Sequence, residues 1–252
     1  GAGLAIGAAV SANDIGSSSD RLMVKSYVEN SAINATGAID LTALGNLTIT
    51  AGVGAGGVAI AGGSGGGLAG AGSGVNTTNK VYADVESYID NLANVSKAIT
   101  ATSITLNSSN TSTITADAGA ASLGASFGAG GGVSVTIGVA LARNTIDVDT
   151  KSYIANADAV NTGTGAVDLN ATTNSTITAT SVAASLAIAV GAGGGASISG
   201  AGADSNNIIK GETAAYLDGV SLINVGNVDA DASNTSTITA TVAAVAASGA
   251  GG

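Results

Sequence analysis

The chain has no cysteine, histidine, proline or tryptophan, and one phenylalanine among its 252 residues. Without cysteine there are no disulfides, thiolate metal sites or cysteine nucleophiles. Without histidine the commonest general base and the commonest metal ligand are gone. Carboxylates remain as catalytic groups, but no acid–base pair recurs or converges. The chain is therefore read as a non-enzyme, with no catalytic, cofactor-binding or metal-ligating residue assigned. Basic residues are scarce, seven against seventeen acidic, giving a net charge of −10. That balance excludes nucleic acid, whose binding depends on neutralising phosphates with Lys and Arg. It also argues against anionic membrane surfaces, and it helps keep a long polymer in solution.

What is present is glycine and small aliphatics: 39 Gly, with 45% of residues hydrophobic but only 2% aromatic. A core without large rings must be built from Ala, Val, Ile and Leu, which suits thin, closely stacked layers. No basic segment precedes an apolar run, so no signal peptide is read. Segments 51–79, 118–142 and 179–203 are almost uncharged. Their glycine content and period-2 alternation argue against spanning helices. A membrane β-barrel would show aromatic girdles, and these are missing. No membrane insertion is expected.

The chain repeats itself. "STIT" occurs at 112–115, 175–178 and 236–239, with "LTIT" at 47–50. Thr50, Thr115, Thr178 and Thr239 are 65, 63 and 61 residues apart, and Tyr27, Tyr88, Tyr153 and Tyr216 are 61, 65 and 63 apart. The clusters "GSGGG" (63–67) and "GAGGG" (128–132 and 191–195) keep the same period, and Asn79, Asn144 and Asn207 each precede a Tyr by nine residues. The unit is about 63 residues, divided as 1–50, 51–115, 116–178, 179–239 and the start of another at 240–252. The spacing from the Ile of "TIT" to the Gly cluster is 14, and from that Gly to the Asn 16, in each complete case. Nearly all the length variation falls between the Tyr and the pattern "GAIDLTA" (37–43), "TSITLNS" (102–108), "GAVDLNA" (165–171) and "GNVDADA" (226–232), at 10, 14, 12 and 10 residues. Even increments preserve which way a strand's side chains face, so they support β structure. The first unit also carries about five extra residues around "GSSSD" (16–20), read as a surface loop.

"VSVTIGVALA" (133–142) alternates Val133, Val135, Ile137, Val139 and Leu141 with Ser134, Thr136, Gly138, Ala140 and Ala142. "SLAIAV" (185–190) and "LAIGAAV" (4–10) do the same. Each reads as a strand with a branched aliphatic face and a small-residue face. The aliphatic face is expected to bury, and the small face to let a neighbouring sheet approach. The Gly clusters between strands supply the positive φ of tight turns. A phosphate loop is disfavoured, since no Lys follows and no helix begins. The recurrent tyrosines are expected to stack as a buried file.

Other motifs carry weaker signals. Thr-x-Thr ladders suit ice binding, but a 63-residue unit is expected to make about three coils, putting equivalent threonines roughly 14 Å apart. Asp147 with Asp149, and Asp229 with Asp231, place carboxylates on one strand face, where calcium would find oxygen ligands; a solvated acidic face is the simpler reading. "GAGADSNNI" (200–208) is a faint, single match to a calcium-binding nonapeptide. Nine Asn-x-Ser/Thr sequons occur, including Asn34, Asn76, Asn110 and Asn174, as expected of this composition.

The "G-x-[IV]-x-[LA]-x-[AS]" pattern, the Tyr-led "SYI" and "AYL" segments and the Thr/Asn/Ala/Gly bias resemble the repeat arrays of very large secreted bacterial surface proteins, the filamentous-haemagglutinin-like exoproteins and adhesins. That resemblance implies an exported, elongated, right-handed parallel β-solenoid at the cell surface or in extracellular fibre. The fold expected is all-β, a solenoid with a Gly-turned strand pair in each unit, with a stacked β-hairpin or β-sandwich fibre as the alternative. The function expected is a structural segment of a filament or stalk. The alternative is an adhesive module that binds a glycan or other surface ligand through the variable segments 28–36, 89–101, 154–164 and 217–225. Gly1 and the final "GAGG" read as parts of one turn element, so the units are expected to continue in a longer chain or by end-to-end self-association.

Overall fold

The computed structural model describes residues 1–91 and 97–252. The chain winds four times around one axis. The first coil contains β1 (Ala2–Ile15), β2 (Leu22–Glu29), β3 (Ile33–Asn34), β4 (Ile39–Gly45) and β5 (Thr48–Gly63). The second contains β6 (Gly67–Asp90), β7 (Ala98–Thr100), β8 (Ile104–Asn110) and β9 (Thr113–Gly128). The third contains β10 (Gly132–Ala155), β11 (Ala159–Asn161), β12 (Val167–Thr173) and β13 (Thr176–Gly191). The fourth contains β14 (Gly195–Lys210), β15 (Thr213–Asp218), β16 (Leu222–Asn224), β17 (Val228–Asn234) and β18 (Thr237–Gly251).

Equivalent strands of successive coils pair in parallel and form four sheets. The long sheet holds β1 and β2, β6, β10, then β14 and β15; β3–β7–β11–β16 form an end sheet; β4–β8–β12–β17 and β5–β9–β13–β18 form the opposite side. The protein is thus an all-β parallel solenoid. The strands flanking each Gly cluster, such as β9 and β10, belong to different sheets, so the cluster is an arc between layers rather than a hairpin turn. Its fourth residue takes positive φ in every case, at Gly66, Gly131 and Gly194, where a side chain would be strained.

Two expectations are corrected by the register. Thr50 pairs with Thr115, Thr115 with Thr178 and Thr178 with Thr239. One unit therefore makes one coil, not three, because strands of 16 and 24 residues absorb its length. Among the described residues the even length increments also do not lie within strands. They fall in the corners around the end sheet, so side-chain parity does not constrain them.

The motifs are explained by position. The Ser of "STIT" is buried at Ser112 and Ser175, at the corner between the β4–β8–β12–β17 and β5–β9–β13–β18 sheets, with Ser112 donating to Asn110 Oδ1 at 2.6 Å and Asn110 donating to Ser175 at 3.0 Å. Both Thr point outward, and Ile49, Ile114 and Ile177 are buried between them. In the interior of the long sheet, Asn13, Asn79, Asn144 and Asn207 form a ladder, each side-chain amide donating to the next Oδ1 at 2.8, 2.8 and 2.7 Å. Such ladders satisfy buried amides only when the coils stay in register.

The core changes character along the cross-section. Toward the end sheet it holds Ile89, Ile99, Ile104, Leu106, Ile154 and Leu169. Toward the Gly arcs it narrows to Ala59, Ala61, Ala69, Ala71, Ala140 and Ala183, with buried serines. A Cβ on inward Gly138 would meet the Ala184 carbonyl oxygen at 2.8 Å, and one on Gly57 would meet that of Gly72 at 2.4 Å. The two layers approach too closely there for a methyl group. The small face is therefore the interior, and the aliphatic face is the surface. Val133, Val135, Ile137 and Val139 are exposed while Ser134, Thr136 and Ala140 are buried, which reverses the orientation expected from the sequence. Seen in section, the solenoid is a wedge: thick at the end sheet, thin at the Gly arcs.

Candidate functional site: the outer faces of the solenoid

The outer surface divides by chemistry. On the thick half of the long sheet, Lys25, Glu86 and Lys151 fall in one cross-strand row, with Lys25 Nζ 2.9 Å from Glu86. Lys151 Nζ lies 2.6 Å from Glu212. Arg21 ends the extra loop of the first coil and reaches over two further coils. It pairs with Asp84, lies 3.1 Å from Asp147 Oδ1, and donates to the backbone oxygens of Ala83 and Asp147. Lys210 holds the other Asp147 oxygen at 3.0 Å. Burial opposes ionisation of Asp147, but the hydrogen bonds from Lys210 and Arg21 outweigh it and hold the carboxyl below its usual range.

Asp147 and Asp149 thus share a face, as read from the sequence, and both lie against Arg21 and lysine cations. Asp229 stacks on Asp168, and Asp231 on Asn170. Among the described residues no group of three or more His, Cys, Asp or Glu could hold a metal ion. The segment 200–208 lies within β14, paired with 137–145 of β10, and forms no loop.

The tyrosines form the expected file. Ring centroids are 5.2 Å apart for Tyr27–Tyr88, 4.9 Å for Tyr88–Tyr153 and 5.0 Å for Tyr153–Tyr216, and the rings are nearly parallel. The file stands on the outer surface, not in the core. Tyr27 is 52% exposed, whereas Tyr88 is 4% exposed because its neighbours cover it. Burial, then the 2.7 Å hydrogen bond to Glu29, pushes the Tyr88 hydroxyl well above its ordinary pKa. Burial and nearby carboxylates do the same at Tyr153.

Thr48, Thr113, Thr176 and Thr237 form one outward ladder, and Thr50, Thr115, Thr178 and Thr239 form a second. Successive threonines are one strand spacing apart, ~4.8 Å, so the objection that the array is too sparse fails. The array remains two ranks wide: beyond it, the next rank is Gly52, Asp117, Thr180 and Thr241.

The variable segments come together. The described parts of 28–36, 89–101, 154–164 and 217–225 build the end sheet and its entry corners, stacked coil on coil; residues 92–96 lie outside the described residues. Each entry corner bears Asn or Gly three residues after the Tyr: Asn30, Asn91, Asn156 and Gly219. Asn30, Asn156 and Gly219 take positive φ, the region Asn and Gly tolerate best. The recurrence is visible in the sequence, but its meaning depends on knowing where the long strand ends. Of the sequons considered, Asn34 and Asn174 are exposed, Asn76 is half-buried and Asn110 is buried.

An open trough of about 770 Å³ lies at the thin edge. It is lined by the Gly arcs with Ala2, Leu68, Val133 and Ala196, and no polar or charged side chain enters it. Among the described residues no helix is long and apolar enough to cross a membrane. No known protein family, curated protein or solved structure matches the chain.

Proposed function

We propose that the chain is a structural repeat segment of an extracellular filament or cell-surface stalk, without catalysis. One observation carries this reading: four coils stack in parallel register along one axis, and the inward side chains of the middle coils, such as Val167 and Ile177, are fully buried because a coil on each side covers them. Stability in such an array accumulates along one axis, as a stalk requires. Electron microscopy of the native assembly tests the reading: fibres or stalks whose axial repeat is the strand spacing are expected, and globular particles would overturn it.

A second reading has its own support. Stacking the variable segments in one end sheet gives a continuous edge that differs from coil to coil, a surface on which an adhesive site for a glycan or other surface ligand could be written. A glycan array probed with the chain tests it, binding being lost when the segments 154–164 and 217–225 are exchanged for 28–36.

A further inference from the structure

The outer face of the long sheet on the thin half is a field of exposed aliphatic side chains. Across the coils its rows read Leu4, Gly70, Val135, Ile198, then Ile6, Gly72, Ile137, Gly200, then Ala8, Gly74, Val139, Gly202. Leu4 is 78% exposed and Ile137 55%. The first and third coils therefore carry ridges, and the second carries a floor of three glycines. The same contrast recurs between the third and fourth coils at Gly200 and Gly202. Leu4 leans over Gly70, and exposed Leu68 closes the trough at that end around a hollow of about 360 Å³.

The face is also uncharged. In these strands charge begins only at Asp14, Lys80, Arg143 and Asp204, although the chain carries −10 overall. The uncharged stretch, residues 2–9 and their register partners on four strands, spans about 500 Å², from ~3.3 Å per residue and ~4.8 Å per strand. That is below the ~800 Å² each partner contributes to a standard stable interface, so a weak, concentration-dependent dimer is expected.

We propose that this face pairs with the same face of a second, antiparallel copy, so that the first and third coils of one lie over the fourth and second coils of the other, Ile6 opposite Gly200 and Ile137 opposite Gly72. Three features select a second copy over another partner. The ridge and the trough have the same width and period, so the surface is complementary to itself when a copy is turned end for end. The contact brings no charge of the acidic chain into apposition. A two-fold pairing also closes on itself and hides both aliphatic faces at once. Sheets packed this way form a dry, interdigitated layer, as in steric zippers. The pairing is lateral, so it does not depend on how coils continue along the axis.

Analytical ultracentrifugation of the chain over a concentration series tests this, with circular dichroism confirming the fold of each variant. The wild type is expected to dimerise. Ile137→Lys, on the ridge, is expected to weaken dimerisation at least tenfold, and Thr178→Lys, on the opposite side, to leave it unchanged. The decisive variant is Gly72→Leu with Gly74→Leu. Nothing lies within 4 Å of a Cβ at either position, so the fold accommodates both while the trough is filled. Ridge-in-trough packing predicts at least tenfold weaker dimerisation despite the added apolar surface. Equal or tighter dimerisation would mean indiscriminate apolar contact and overturn the proposal, as would a wild type monomeric at every concentration. Association that survives Ile137→Lys would belong to the end layers and would likewise overturn the lateral pairing.

Discussion

The Asn79 side-chain amide donates to Asn144 Oδ1 across 2.8 Å, and both residues are buried between the layers. The bond joins two coils 65 residues apart in sequence and forms only in the correct register. Asn144→Ala removes the acceptor of Asn79 and the donor to Asn207 together. Leaving buried polar groups without partners costs about 1–3 kcal/mol. Urea unfolding is expected to show a loss of that size, and a change below about 0.5 kcal/mol would show that the ladder contributes little.

The glycines make a paired prediction. Gly138→Val forces branched carbon against the Ala184 carbonyl across the thin interior, and overpacking of this kind costs about 1–3 kcal/mol or more. Gly72→Val points outward into open space and is expected to leave the unfolding midpoint nearly unchanged. The reverse order would contradict the assignment of inside and outside.

The tyrosine file is exposed at its ends and covered at its centre. Tyr153 is stacked on both faces, and each stacked contact contributes about 0.5–1.5 kcal/mol beyond burial. Tyr153→Ala is expected to cost about 1–3 kcal/mol, and Tyr27→Ala, with a ring on one face only, less than that. Equal losses in thermal or denaturant unfolding would contradict the file.

The file also sets an alkaline limit. Burial raises the pKa of Tyr88, Tyr153 and Tyr216 in the folded state. Below pH ~10, the ordinary tyrosine value, these hydroxyls are protonated in both states and no stability is lost. Above it the unfolded chain releases protons that the folded chain retains, so stability falls as pH rises toward the folded-state values. Tyrosinate absorbance should therefore lag in the folded protein and jump on unfolding.

The acid limb has the opposite sign. The folded-state pKa of Asp147 is lowered, so its contribution is present above pH ~4 and is lost as pH falls through the folded value. Arg21→Gln should flatten that limb of the stability–pH curve. An unchanged curve would show that the Arg21 cluster is energetically idle.

Much of the fold is legible in the sequence. The period of the tyrosines, the "STIT" copies and the Gly clusters marks the repeating unit, because each needs a particular backbone position: a corner serine, an inward isoleucine, a glycine at positive φ. Alternation in 133–142 marks strands, because period two is set by the pleat. The Asn, Asn, Asn, Gly series that ends each long strand was also present, but its role depends on where the strand stops.

What only the tertiary structure decided is which side of each strand is inside. Alternation separates Val135 and Ile137 from Ser134 and Thr136, but it carries no sign. The usual sign, aliphatic inward, assumes that there is room for branched side chains between the layers. Here the Gly arcs bring the two layers so close that at Gly138 even a Cβ would meet the opposite backbone, and the interior is filled mostly by Ala, Ser and Gly. That spacing is set by an arc and by a partner strand on the far side of the coil, neither of which is local to the residues it turns outward. Coil number was hidden for a similar reason: 63 residues divide equally well into three short turns or one long one, and only the pairing of Thr115 with Thr178 chooses between them.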